Sequence, residues 1–163
     1  DLNCFLDAII FPKNHNLAEE PKVTLKMIAE HPIVTYVFGF TGRSKLDEAF
    51  KREGLKANVV FTATDADVIK TYVRLGLGIG ILAGMAYDPV EDADLTCVDA
   101  SHLFPPSTAM IGGREGSLLR GYMYDFIKLF APHLNNGLVS QAFLDPRNAE
   151  LTAQISKLDL PLR

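Results

Sequence analysis

Short continuous apolar runs alternate along this chain with stretches whose apolar positions recur at helical spacing. The run Phe5-Leu6-Asp7-Ala8-Ile9-Ile10-Phe11, ending at Pro12, reads as a buried strand. Thr24 is placed to cap a short helix over Leu25 to Ala29 that stops before Pro32. Ile33-Val34-Thr35-Tyr36 predicts a second strand. It leads through Phe40-Thr41-Gly42-Arg43-Ser44 into a helix with Leu46, Ala49 and Phe50 on one face, closed by Gly54. The alternation then repeats. Val59 to Thr62 is a strand, Thr64 or Asp65 a cap, and Val68, Ile69, Tyr72, Val73 and Leu75 the apolar face of a helix. Gly76 ends that helix, and Ile79 to Leu82 is the next strand.

Beyond a helical turn near Met85 and an acidic loop after Pro89, strands are expected over Leu95 to Val98 and Thr108 to Ile111. The longest helix is expected from Ser117 to Phe130, with Leu118, Leu119, Tyr122, Phe126, Ile127 and Phe130 turned inward. From Pro132 onward the chain reads as a polar tail with short helices near Val139 and Leu151. Strands alternating with helices imply an α/β fold with a largely parallel sheet. The 163 residues, 48% hydrophobic and 22% charged, suit one ordinary domain or two small lobes with a packed core.

A net charge of −4 advertises no nucleic-acid surface, so any contact with DNA falls to another part of the protein. Cys4 and Cys97 have no metal-ligand spacing and read as buried free thiols, which points to a reducing, cytoplasmic compartment. No apolar stretch is long enough to span a membrane and no signal peptide is present. A first residue of Asp1 rather than methionine reads as a piece of a longer protein.

In parallel sheets, ligands sit at the carboxyl ends of strands beside helix N-termini. Two corners of that kind are present. The first is Phe40-Thr41-Gly42-Arg43-Ser44, where Gly42 lets the backbone approach a ligand and Thr41 and Ser44 carry hydroxyls. With the free N–H groups of the helix start, these suit a sulfate, phosphate or carboxylate. A glycine-assisted turn followed by a serine cap is the plain alternative. A positive φ at Gly42 would make a β-branched replacement costly there.

The second corner is Thr62-Ala63-Thr64-Asp65, whose plain alternative is a capped helix start. Asp65 repels anions and would meet an amino or hydroxyl group, so the two corners together fit a ligand of both polarities, such as an amino-acid derivative. Gly76-Leu77-Gly78-Ile79-Gly80 ends a helix and enters a strand, the reverse of a dinucleotide fingerprint. Gly112-Gly113-Arg114-Glu115-Gly116 reads as a strand-to-helix loop. Glu91, Asp92 and Asp94 read as a solvated loop. Ser101 and His102 adjoin without facing each other, so no catalytic nucleophile is assigned.

Three blocks carry a resemblance. Val34-Thr35-Tyr36 runs through Phe40-Thr41-Gly42-Arg43-Ser44, and Val60-Phe61-Thr62-Ala63-Thr64-Asp65-Ala66-Asp67-Val68-Ile69-Lys70-Thr71-Tyr72-Val73-Arg74-Leu75-Gly76-Leu77-Gly78 follows. Gly121-Tyr122-Met123-Tyr124-Asp125-Phe126-Ile127 with Phe130-Ala131-Pro132-His133-Leu134 completes the set. Together they resemble the effector domain of the CysB/Cbl branch of the LysR-type transcription regulators, from about Ile9 to Leu134. The resemblance implies a periplasmic-binding-protein-like lobe with a mostly parallel sheet flanked by helices, plus a returning strand and helix of a second lobe. Residues 1–107 would be the second lobe (subdomain II) and 108–134 the strand and helix returning to the first. Residues 135–163 would be a C-terminal tail. The N-terminal winged helix-turn-helix and the start of the first lobe would lie outside this chain.

The resemblance further implies an activator of sulfur assimilation and cysteine biosynthesis, with no cofactor and no catalysis. It would be a homo-oligomer, a dimer or tetramer, reaching DNA through the missing domain. The effector would be O-acetylserine, N-acetylserine, sulfate or thiosulfate, held in an interlobe cleft, and Thr41 falls on a threonine that the family uses to contact sulfate. The family's usual tryptophan near the first strand is missing, with Phe5-Leu6-Asp7 in that stretch. The rival reading is a periplasmic receptor for a sulfur oxyanion or an amino acid.

Overall fold

In the computed structural model, residues 3–5, 7–112, 114, 118–145, 148–155 and 157–158 are described. In chain order the strands and α-helices are β1 (Asn3–Phe5), β2 (Asp7–Pro12), α1 (Leu25–Ala29), β3 (Ile33–Tyr36), α2 (Thr41–Arg52), β4 (Val59–Ala63) and α3 (Ala66–Arg74). They continue with β5 (Ile79–Ala83), β6 (Leu95–Asp99), β7 (Ser107–Ala109), α4 (Gly121–Phe130), α5 (Asn136–Leu144) and α6 (Ala149–Ile155). The elements fall into two compact units. One covers Phe5–Ser107, and the other groups the first residues with the chain from Thr108 onward.

The larger unit is built on a five-stranded sheet of order β4-β3-β5-β2-β6. β3 runs parallel to β4 and to β5, whereas β2 runs antiparallel to both β5 and β6. Four strands therefore share one direction and β2 alone opposes them. Because β2 lies between β5 and β6, two of the four pairings are antiparallel, and the sheet is mixed rather than largely parallel. Both faces are dry, as such a sheet requires. Ile9, Phe11, Ile33, Ile79 and Ile81 face one side, where they meet Leu25 and Ile28 of α1 and Leu46, Ala49 and Phe50 of α2. Ile10, Val34 and Leu82 face the other side, against Ile69 and Val73 of α3. The result is a sheet sandwiched between helical layers.

Local chemistry explains the ends of these helices. The Thr24 hydroxyl accepts the Met27 N–H at 3.3 Å, and of the two residues offered as cap for α3 it is Asp65 that serves, accepting the Asp67 N–H at 2.7 Å. At the far end of α2, Gly54 has φ +65° while Leu55 N–H donates to Phe50 and Gly54 N–H to Lys51. α3 ends the same way at Gly76, with φ +75° and bonds from Leu77 to Tyr72 and from Gly76 to Val73. Both are Schellman motifs, in which glycine takes the left-handed position. Gly76 thus ends a helix, as the sequence indicates.

The acidic loop departs from its expectation. Asp92 is only 2% exposed, and its carboxylate pairs with Lys70 at 3.0 Å and Arg74 at 2.8 Å. An amphipathic reading of α3 treats Lys70 and Arg74 as its solvent side, but the loop folds back over them.

The smaller unit contains a two-stranded sheet of β1 and β7 and the helices α4, α5 and α6. The strand expected at Thr108 to Ile111 is shorter and displaced, at Ser107–Ala109. α4 begins at Gly121 rather than Ser117, and α2, not α4, is the longest described helix. Of the face expected to turn inward only Ile127 is buried, while Leu118, Tyr122, Phe126 and Phe130 are exposed. The tail helices stand near Val139 and Leu151 as expected. Gly113, Glu115, Gly116 and Ser117 lie outside the described residues.

Candidate functional site

The carboxyl ends of β3, β4 and β5 open onto a concavity of about 340 Å³ in the larger unit. Its lining is Asp7, Tyr36, Phe40, Gly42, Thr64, Asp65, Ala66 and Ala83. The two corners singled out in the sequence therefore meet in one place. Parallel pairing of β3 and β4, with Tyr36 opposite Ala63, brings them side by side. Beyond β3 the chain turns at Gly39, whose φ of +97° favours glycine, and Phe40 N–H donates to the Val37 carbonyl. The turn folds Phe40 back over Tyr36, the rings stacked at 5.8 Å with 8° between their planes.

α2 then starts with Phe40 in extended conformation as its N-cap and no side chain capping it. Gly42, in its first turn, lines the concavity, while the N–H groups of Arg43 and Ser44 donate to the Phe40 carbonyl. α3 starts at the same opening, with Asp65 and Ala66 on the wall. Two positive helix ends thus converge on one hollow.

Not every residue of the first corner joins in. Ser44 is exposed in the first turns of α2, where its N–H bonds to the Phe40 carbonyl; it is neither the cap nor part of the wall. Arg43 Nε pairs with both Asp47 carboxylate oxygens at 3.0 and 3.1 Å and lines a separate hollow with Phe50 and Lys51. Thr41 is the first residue of α2, and its side chain lies outside the described residues. Gly42 does not have positive φ; that conformation belongs to Gly39. What Gly42 supplies is room, because a Cβ there would stand 3.4 Å from Asp7 Oδ1 and 3.6 Å from Tyr36 Cδ2.

Asp7, Tyr36, Ala66 and Ala83 are the lining residues that sequence reasoning missed, and Asp7 and Tyr36 are the polar ones. Asp7 reaches this edge because β2 is antiparallel, so its first residue pairs with Ala83 at the end of β5. It is 4% exposed. Burial pushes its carboxyl above the ordinary aspartate range, with the Lys45 charge pulling the other way. The Tyr36 hydroxyl accepts the Ala83 N–H at 3.4 Å. Burial raises the Tyr36 phenol, the Ala83 bond opposes this, and the charges of Asp7 and Asp65 add to the rise. An apolar run broken by one aspartate was the available signal for Asp7.

No catalytic pair is assembled from Ser101 and His102. The Ser101 hydroxyl donates to Asp99, and His102 Nε2 sits 2.7 Å from the Val23 carbonyl. Cys97 is a free, half-buried thiol, and the Cys4 side chain lies outside the described residues. Among the described residues no helix is long and apolar enough to cross a membrane.

Comparison with known proteins places this geometry in a family. The regulator CysB of Haemophilus influenzae is 53% identical over 135 residues, 83% of this chain and 42% of that protein. The regulator SsuR of Burkholderia cenocepacia is 52% identical over 132 residues, 81% of this chain and 43% of that one. The chain therefore spans less than half the length of these relatives. Among solved structures, the cofactor-binding domain of the Cbl transcriptional regulator superposes with a TM-score of 0.81 at 38% identity. That match covers 87% of this chain and 62% of that one. Residues 8–135 match the profile described as LysR substrate binding domain, and the chain belongs to that family, in its CysB and Cbl branch.

Proposed function

We propose that this chain is the effector-sensing part of a LysR-type activator of sulfur assimilation and cysteine biosynthesis, working in the cytoplasm. Residues 1–107 are the second lobe of its effector domain, 108–134 return to a first lobe, and 135–163 form a tail. A separate helix-turn-helix domain contacts DNA in a dimer or tetramer. The relatives named above are transcriptional regulators, which favours this reading over a periplasmic receptor and over an enzyme. The observation that carries it is the single concavity lined by Phe40, Gly42, Thr64 and Asp65, where two helix N-termini meet. Such a site suits an effector with an anionic end, of the acetylserine type or a sulfate- or thiosulfate-like anion. Thr41, with Arg43 and Ser44 behind it, opens the helix that faces this ligand. An effector alters promoter occupancy only by binding one subunit arrangement better than another.

The test is a thermal-shift titration of the full-length protein with O-acetylserine, N-acetylserine, thiosulfate and sulfate. Ligand at about 100 times its dissociation constant should stabilise the protein by about 2.7 kcal/mol. Thr41→Ala should weaken anion binding by about 1 kcal/mol or more, through loss of a hydrogen bond to a charged group. A protein that responds to none of the four compounds is not a sensor of this kind. An unchanged sulfate affinity in Thr41→Ala would remove that residue from the site.

A further inference from the structure

We infer that Lys45 is a latch through which the concavity controls the segment where the chain leaves the larger unit. Its part in signalling rests on the sensor reading above and deepens it, by naming the residue that relays occupancy of the site.

The chain passes between the two units within β1, between Cys4 and Phe5, and again within β7, between Ser107 and Thr108. β1 and β7 pair with each other, so both passages lie in one two-stranded ribbon. Just ahead of the second passage, the Lys45 ammonium donates to the Pro105 carbonyl at 2.8 Å and to the Ser107 hydroxyl at 2.6 Å. It also donates to the Pro106 carbonyl between them. These acceptors stand 60 to 62 positions from Lys45 in the sequence. An ammonium has three N–H donors, and three consecutive residues of the departing segment take them.

Those contacts are well placed to fix the segment. Pro105 and Pro106 have no N–H to join a strand ladder, and among the described residues the hydrogen bonds to this pair come from Lys45. Two successive prolines are also stiff, so a pull on their carbonyls moves the segment rather than bending it. Ser107 is 2% exposed, and a bond from a charged donor to its hydroxyl is little screened there.

The same ammonium answers to the concavity. Lys45 lies three residues beyond Gly42, which lines the concavity, on a helix held to the sheet by Leu46, Ala49 and Phe50. Its charge acts on Asp7, the buried carboxyl of the concavity wall. The Asp7 main-chain carbonyl accepts the Ala100 N–H at 3.1 Å, where the stretch leading to Pro105 begins. Lys45 therefore stands between an acid of the wall and the oxygens of residues 105–107. An anion entering beside Asp7 draws Lys45 toward the wall and loosens its hold on that segment. The effector then interacts differently with two arrangements of the chain, as a ligand-driven change requires.

Hydrogen exchange of the β7 amides in the full-length protein tests this. Lys45→Met keeps the length of the side chain and removes its charge. These amides should exchange about tenfold faster or more in that variant, the scale of lost hydrogen bonds to a charged group, with those of β2 and β6 unchanged. Lys45→Arg, which retains the charge, should fall between the two. Asp7→Asn reads the link to the concavity without any ligand. It should slow β7 exchange when Lys45 is present and have no effect on it in Lys45→Met. Saturating sulfate or O-acetylserine, with binding followed by calorimetry, should speed β7 exchange in the wild type and leave it unmoved in Lys45→Met. Unchanged β7 exchange in Lys45→Met overturns the latch. An Asp7→Asn effect that is absent, or that persists in Lys45→Met, overturns the route through Lys45. A ligand that binds without altering β7 exchange overturns the relay and leaves the sensor reading intact. If neither compound binds, the sulfur-effector reading fails by itself, and the ligand-free variants decide whether Lys45 links the wall to the segment.

Discussion

Asp92 shows how much one side chain can bear. Burial pushes its carboxyl up, but bonds from the Asp88 N–H, Arg74 and Lys70 outweigh burial and hold it at about 2, against an ordinary 3.8. A folded value below the unfolded one means that the unfolded chain takes up the proton first. The stabilisation is therefore complete above the ordinary aspartate value and lost as pH falls from about 4 towards about 2. Asp92→Asn leaves the buried Lys70 with the exposed Asp67, at 2.9 Å, as its only carboxylate partner among the described residues. It should cost about 3 kcal/mol at neutral pH, in the range for breaking a buried pair. Urea unfolding at a series of pH values checks this. The gap between the two proteins should be widest at neutral pH and close on acidification. The sequence hid the network because Asp92 lies 22 positions from Lys70, in a segment whose composition is that of a solvated loop.

At the scale of elements, the close approach of β5 to its neighbours rests on Gly80. A Cβ there would fall 2.5 Å from Ile10 Cγ1 and 2.9 Å from Val73 Cγ2, so α3 and β2 could not both keep their places. Gly80→Ala should destabilise the larger unit by about 1–3 kcal/mol, the usual cost of overpacking. A drop of less than about 0.5 kcal/mol in urea would mean that the core yields more easily than this packing implies. Most element identities were legible because each apolar period matches its packing. Ile69 and Val73 lie one turn apart on α3 and both meet the second core. α4 was less legible. Its apolar positions have helical spacing, but spacing says only that a face exists, not what covers it.

At the scale of the whole molecule, the smaller unit leaves that face of α4 in water. Phe126 is 60% and Leu129 83% exposed. Contiguous apolar surface of this kind promotes association. Phe126→Glu with Leu129→Glu should lower the sedimentation coefficient of the full-length protein or reduce its binding of a hydrophobic dye. No change in either would mean that another part of the protein covers the face.

The order of elements from β2 to β6, the Schellman glycines at 54 and 76, and the two corners at the starts of α2 and α3 follow from local spacing and backbone chemistry. β1 does not, because the apolar run over Phe5 to Phe11 reads as one strand and the structure has Asn3–Phe5 and Asp7–Pro12 in different sheets. Which corners meet, and what joins them, follows from strand direction. Nothing local to residues 7–11 says that β2 runs against its neighbours. That reversal alone carries Asp7 from the start of an apolar run to the carboxyl edge of the sheet, beside Tyr36 and Gly42. Hydrogen-bond register across the sheet is a long-range property. Only the tertiary structure could turn an isolated aspartate into part of the wall of this concavity.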